Sequence, residues 1–90
     1  MKIIKINAVW CPSCLYSKSI WKEVQNEYPN FEYVDLDYDL DEDIVTKYNV
    51  GTILPVVIFE EDNIEIKRLI GEKSKKEIIK EVSGLRWKGF

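Results

Sequence analysis

Ninety residues form one domain, because a chain this short does not hold two independent apolar cores. With 46% hydrophobic and 32% charged residues, and no repeat or low-complexity run, the composition is that of a globular protein and not of a disordered one. A formal net charge of −3 without a basic stripe argues against nucleic acid as a partner, and no stretch approaches the length of a membrane span.

The chain opens on Lys2-Ile3-Ile4-Lys5-Ile6-Asn7-Ala8-Val9, β-branched and nearly continuous, which predicts a first strand over about residues 2 to 8. Lys5 interrupts the apolar run and no small-residue cleavage site follows it. The segment therefore does not read as a secretory signal, and the expected location is the cytoplasm. Trp10-Cys11-Pro12-Ser13-Cys14 comes next and holds both cysteines of the chain. In a reducing compartment such a pair is catalytic or metal-binding in preference to structural, and a disulfide across so short a loop stabilises a fold little. The chain has no histidine, which removes Cys-His catalysis and imidazole zinc sites. Two cysteines alone do not complete a four-thiolate metal site; a dimer, an external thiol or carboxylate ligands would have to supply the rest.

After the cysteines, Leu15, Ile20, Trp21, Val24 and Tyr28 approximate one helical face, with Lys18, Lys22, Glu23, Asn26 and Glu27 mostly on the other. The two thiols thus sit where a strand hands over to a helix. The first turn of a helix offers free backbone N–H groups and the positive end of the dipole, both of which favour an anion such as a thiolate. Cys11 occupies that place and is the expected nucleophile. Cys14, one turn further on the same face, is near enough to close a disulfide with it and is the expected resolving thiol. Pro12 suits the first helical position, where a missing N–H costs nothing.

Tyr28-Pro29-Asn30 ends the helix, and Phe31-Glu32-Tyr33-Val34-Asp35-Leu36 alternates as a strand, completing a right-handed βαβ unit. Asp39 to Asp43 are expected to cap a second helix through about Tyr48. The Asp35-x-Asp37-x-Asp39 pattern has the look of a calcium loop, but Leu40 replaces the required glycine and Thr46 the final glutamate, so a strand end and helix cap are expected instead. Ile53-Leu54-Pro55-Val56-Val57-Ile58-Phe59 is the most hydrophobic stretch and reads as a central strand with Pro55 at its start. Glu60 to Asn63 make a polar turn into a hairpin strand, Ile64 to Ile70, which Gly71 ends. Ser74 or Glu72 opens a last helix with Ile78, Ile79 and Val82 toward the sheet and Gly84 as its C-cap. The domain is taken as 1–84, with 85–90 an unassigned tail whose Trp87 and Phe90 are expected to pack or fray and not to dock a partner. Lys5 is expected to face solvent; the alternative is that its amine tunes the Cys11 thiolate.

The order β-α-β-α-β-β-α gives an α/β fold with a four-stranded mixed sheet flanked by helices. Together with Trp-Cys-x-x-Cys, Pro55 and Gly71-Glu72-Lys73-Ser74-Lys75, it resembles the thioredoxin-like superfamily in a minimal form, over Ile3 to about Val82. The resemblance implies a thiol–disulfide oxidoreductase working by dithiol exchange. Cys11 attacks a target disulfide and Cys14 resolves the mixed disulfide. Pro55 follows a cis peptide bond in that family and faces the disulfide. Backbone groups of Leu54 would pair with a substrate segment as an added strand, while Trp10, Pro12, Ser13, Ile53 and Leu54 complete the substrate site. Partners are disulfide-containing proteins and a thioredoxin-reductase-like enzyme or glutathione. No bound cofactor is implied, and a monomer is expected.

The chain also departs from thioredoxin. Lys5 stands where that protein has a buried aspartate beneath the disulfide, Ser19 stands in place of a helix proline, and the loop from Gly51 to Leu54 is one residue longer. Proline directly after the first cysteine resembles glutaredoxins, whose glutathione-binding Gly-Gly pattern Gly71-Glu72-Lys73 does not match. The alternative reading is therefore a glutathione-dependent glutaredoxin, in its cluster form a dimer holding iron–sulfur through Cys11. Haem attachment is disfavoured by Leu15, which holds the place of the histidine it needs, and a copper chaperone by Trp10 and the element order. A non-enzymatic module is disfavoured by the presence of both cysteines.

Overall fold

The computed structural model describes the backbone of residues 1–88 and the side chains of residues 1–84. Seven elements follow in order: β1 (Lys2–Asn7), α1 (Pro12–Glu27), β2 (Glu32–Asp37), α2 (Glu42–Lys47), β3 (Val56–Glu61), β4 (Ile64–Ile70) and α3 (Lys75–Lys88). They form one four-stranded sheet in the order β2-β1-β3-β4. β1 runs parallel to β2 and antiparallel to β3, and β3 runs antiparallel to β4. The expected mixed α/β architecture stands.

Alternation along the two central strands divides the core. Ile3, Val57, Phe59 and Leu69 meet Ile20, Trp21 and Val24 of α1 and Ile78 and Val82 of α3 on one face. Ile4, Ile6, Val56 and Ile58 meet Val45 of α2 on the other, and this second cluster extends to Ala8, Cys11, Cys14 and Leu54 at one end of the sheet. A residue on β1 thus packs beneath α1 or above α2 according to parity alone.

The helix ends have local causes. Cys11 is the N-cap of α1 and Pro12 its first residue, as expected, and Tyr28 closes it by donating to the Val24 carbonyl at 2.8 Å before Pro29. Ser74, not Glu72, caps α3: its Oγ accepts the Glu77 N–H and Glu77 Oε2 accepts the Ser74 N–H, both at 3.2 Å, in a reciprocal capping box. The β3–β4 hairpin turns on two residues, Asp62 and Asn63, with φ of 53° and 65°, short side chains that tolerate the left-handed region.

Three expectations are corrected and one is borne out. Leu15 is 65% exposed, because the buried face of α1 runs through Cys14, Ser17, Ile20, Trp21 and Val24. The second helix starts at Glu42 with Asp41 as its N-cap, inside the expected Asp39 to Asp43, while Asp39 and Leu40 turn on the Asp37 carboxylate. Gly84 does not cap α3. The helix continues to Lys88, since no residue after Gly84 breaks it. Lys5, expected in solvent, is buried: its parity places it beneath α1. The side chains of Trp87 and Phe90 lie outside the described residues.

Candidate functional site

The thiols are placed by two local rules. β1 ends at Asn7, and the Cys11 N–H donates to the Ala8 carbonyl at 3.2 Å, turning the chain upward into α1. Cys11 then has extended backbone (φ −99°, ψ 110°), the conformation of an N-cap, and its sulfur does what a capping serine oxygen does. The Cys14 backbone N–H donates to Cys11 Sγ at 3.2 Å. The sulfur thus sits at the N-terminal end of the α1 dipole.

Both cysteines are free thiols, 6% and 3% exposed. Burial, and then the hydrogen bond to Cys11, push the Cys14 thiol up from an ordinary 9.0 to about 11. The two sulfurs are therefore unequal. Cys11 carries the helix N–H, whereas Cys14 is held protonated.

Of the residues expected around them, Trp10, Pro12 and Ser13 stand in the β1–α1 loop and the first turn of α1. Trp10 is more than half exposed, yet fixed: its Nε1 donates to Asp39 Oδ2 at 2.8 Å and its ring meets Tyr38 edge-on at 6.1 Å. Pro55 lies just before β3, buried in the second core cluster's neighbourhood, and the Leu54–Pro55 peptide is cis. Ile53 is exposed. The side chain of Leu54 is buried against that cluster, so among the expected substrate-site residues the exposed large apolar side chains are Trp10 and Ile53, with Val9, Leu15 and Tyr16 also exposed nearby in sequence. Sequence reasoning missed these last three as surface residues and missed the Trp10–Asp39 contact entirely.

The loop before β3 is locked from the far side. Gly71 donates its N–H to the Pro55 carbonyl at 2.9 Å with φ of +85°, and a Cβ there would touch Ile53 Cγ2 at 3.4 Å. The left-handed backbone calls for glycine, whereas the contact with Ile53 would be an ordinary one.

Lys5 points neither at solvent nor at Cys11. Its ammonium lies 3.1 Å from Asp35 Oδ1 on the facing position of β2, and 6.0 and 5.7 Å from the ring centroids of Trp21 and Tyr33. Asp35 shares with Cys14 the wall of an open cleft of about 360 Å3 between α1 and β2. Among the described residues, no group of three or more histidine, cysteine, aspartate or glutamate side chains is placed to hold a metal ion.

Residues 1–84 match the Thioredoxin family model. The chain belongs to the thioredoxin family. Proteins of this family are thiol–disulfide oxidoreductases. The chain is 33% identical over 69 residues to thioredoxin H5 of Oryza sativa subsp. japonica, a match covering 77% of this chain and 50% of that protein. It is 31% identical over 77 residues to a thioredoxin of Mycoplasma genitalium, covering 86% of this chain and 74% of that one. The chain thus spans half the length of the rice relative. Its fold is also that of thioredoxin f2 in a crystal structure of the ferredoxin:thioredoxin reductase complex, with a TM-score of 0.82 at 19% identity, over 94% of this chain and 76% of that chain.

Proposed function

We propose that this chain reduces protein disulfides through the Cys11–Cys14 dithiol. The observation that carries the proposal is the 3.2 Å hydrogen bond from the Cys14 backbone N–H to Cys11 Sγ, which fixes the first cysteine's sulfur at the N-terminus of α1 with Cys14 one turn on.

Cys11 Sγ attacks one sulfur of a target disulfide, the target's S–S bond breaks, and a mixed disulfide forms. Cys14 Sγ, once deprotonated, attacks Cys11 Sγ. A Cys11–Cys14 disulfide results, and the target leaves as a dithiol. Trp10 and Ile53 supply the exposed apolar contacts for the target, and the backbone before the buried Pro55 supplies the groups with which an extended segment pairs. No bound cofactor enters the cycle. A thioredoxin-reductase-like enzyme restores the dithiol, a partnership that the solved complex of a related fold with its reductase supports by analogy. The chain acts as a monomer in the cytoplasm.

The test is NADPH consumption by oxidised protein mixed separately with thioredoxin reductase and with glutathione plus glutathione reductase, using insulin as the terminal disulfide. Turnover with the first system alone, abolished by Cys11→Ser, is the expected result. Turnover with glutathione alone would replace this reading with the glutaredoxin one.

A further inference from the structure

The cleft between α1 and β2 has two kinds of wall. Val9 and Leu15 stand at it with 81% and 65% of their surface exposed, and Leu36 of β2 adds a third aliphatic side chain. Asp35, Asp37 and Asp41 bring carboxylates to the same cleft, whose volume is about 360 Å3. Cys14 is part of its wall as well, so the cleft opens beside the dithiol.

Each carboxylate is engaged through one oxygen. Asp37 Oδ1 accepts the backbone N–H groups of Asp39 and Leu40, both at 2.9 Å, Asp41 Oδ2 accepts that of Asp37 at 2.7 Å, and Asp35 Oδ1 faces the Lys5 ammonium at 3.1 Å. Among the described residues no donor is bonded to the second oxygen of Asp37 or of Asp41. The charges of the cleft do not cancel. Lys5 offsets one carboxylate and Lys18, an exposed residue of the wall one turn beyond Cys14, offsets another, which leaves one negative charge for an incoming group.

Aliphatic walls beside carboxylates suit one kind of side chain. Lysine and arginine lay a methylene stem along apolar surface and keep the charged head at polar groups. An acidic side chain would meet like charge here, and a purely aliphatic one would cover the carboxylates without pairing them.

We propose that this cleft receives a lysine or arginine side chain of the target protein, carried a few residues from the cysteine that Cys11 attacks. The proposal rests on the dithiol reading above and names the class of target that the site prefers. The surface is continuous: Val9, at the cleft, adjoins Trp10, the exposed ring offered to the target, so a segment lying over the dithiol passes from that ring to the cleft. An extended segment advances about 3.3 Å per residue, which sets the basic residue at about two to four positions from the attacked cysteine.

The test uses short synthetic peptides closed by one disulfide and alike except that lysine, glutamine or glutamate stands at each position near the disulfide in turn. Second-order rate constants for their reduction by the reduced protein are compared at low salt. At one or two neighbouring positions the lysine peptide should be reduced about fivefold faster than the glutamine peptide, the scale of an exposed ion pair, and the glutamate peptide more slowly than either. In 1 M salt, where charges are felt over only about 3 Å, the preference should fall below about twofold. Asp37→Asn keeps the oxygen that accepts two N–H groups but loses the charge, and Leu15→Lys adds a cation at the cleft; each should bring the lysine-to-glutamine ratio at that position close to one. Because the readout is a ratio, a general loss of activity does not imitate it. Equal rates for lysine and glutamine at every position overturn the proposal. So does a lysine advantage of the same size at all positions, which reports only the net negative charge of the chain, and so does one that survives either substitution or 1 M salt. A reduced protein that opens none of the peptides overturns instead the dithiol reading itself.

Discussion

Trp10 Nε1 donates to Asp39 Oδ2 at 2.8 Å, joining the loop that carries the cysteines to the turn between β2 and α2 across 29 residues of chain. The bond is exposed, so its effect on stability is small. Its consequence is positional: it holds a large apolar ring beside Cys11.

Asp39→Ala should therefore leave urea unfolding within about 1 kcal/mol of wild type. It should raise KM for a protein disulfide about fivefold, the equivalent of about 1 kcal/mol of lost positioning, with kcat unchanged. An unchanged KM would show that the ring needs no tether.

The buried thiol makes a prediction about pH. In Cys11→Ser only Cys14 remains, and burial, the largest cause of its shift, is intact. Alkylation of the folded variant by iodoacetamide should be slow through neutral pH and keep rising beyond the ordinary thiol value of 9.0. Stability follows the same linkage. Below 9.0 the thiol is protonated whether the chain is folded or not, and the group contributes nothing to the pH dependence. Between 9.0 and about 11 the unfolded chain releases the proton first, so stability falls as pH rises. The difference in urea midpoint between wild type and Cys14→Ser, followed across that window, should shrink in step; a constant difference counts against the shift.

Arg68 fastens the edge strand to α2. Its Nη2 donates to the Tyr48 carbonyl at 2.7 Å at the C-terminal end of that helix, where cations are favoured, and it also pairs with Glu65 at 2.7 Å. Arg68→Met should cost about 1–2 kcal/mol by urea denaturation, because a charged hydrogen bond to a carbonyl is lost. Glu65→Gln should cost under about 1 kcal/mol, since it removes only a partly exposed ion pair. Equal costs would place the effect in the ion pair and not in the helix end.

Phe59, fully buried at the centre of the first core cluster with its ring 6.5 Å from that of Trp21, should lose about 3–5 kcal/mol on truncation to alanine. Leu15→Ala, at an exposed position the apolar pattern had assigned to the core, should change stability by about 0.5 kcal/mol or less. Thermal or urea unfolding of the two variants decides between the pattern and the observed face.

The parts of this protein legible in its sequence are those that short-range chemistry controls. The element order follows from apolar periodicity and from Pro29, Pro55 and Gly71; Cys11, Pro12 and Cys14 take their places because an N-cap, a first helical residue and a residue one turn on are fixed by spacing within a few positions. Leu15 was misread because one step along a helix is a rotation of about 100°, which is enough to move a side chain from core to solvent. Gly84 was misread because a lone glycine is tolerated inside a helix that no following residue breaks. Only the tertiary structure decided the rest. The parallel register of β1 on β2 brings Lys5 to Asp35, thirty positions apart, and the docking of the β2–α2 turn brings Asp39 to Trp10. Such pairings depend on how strands align across a sheet, and no local propensity within either strand carries that information.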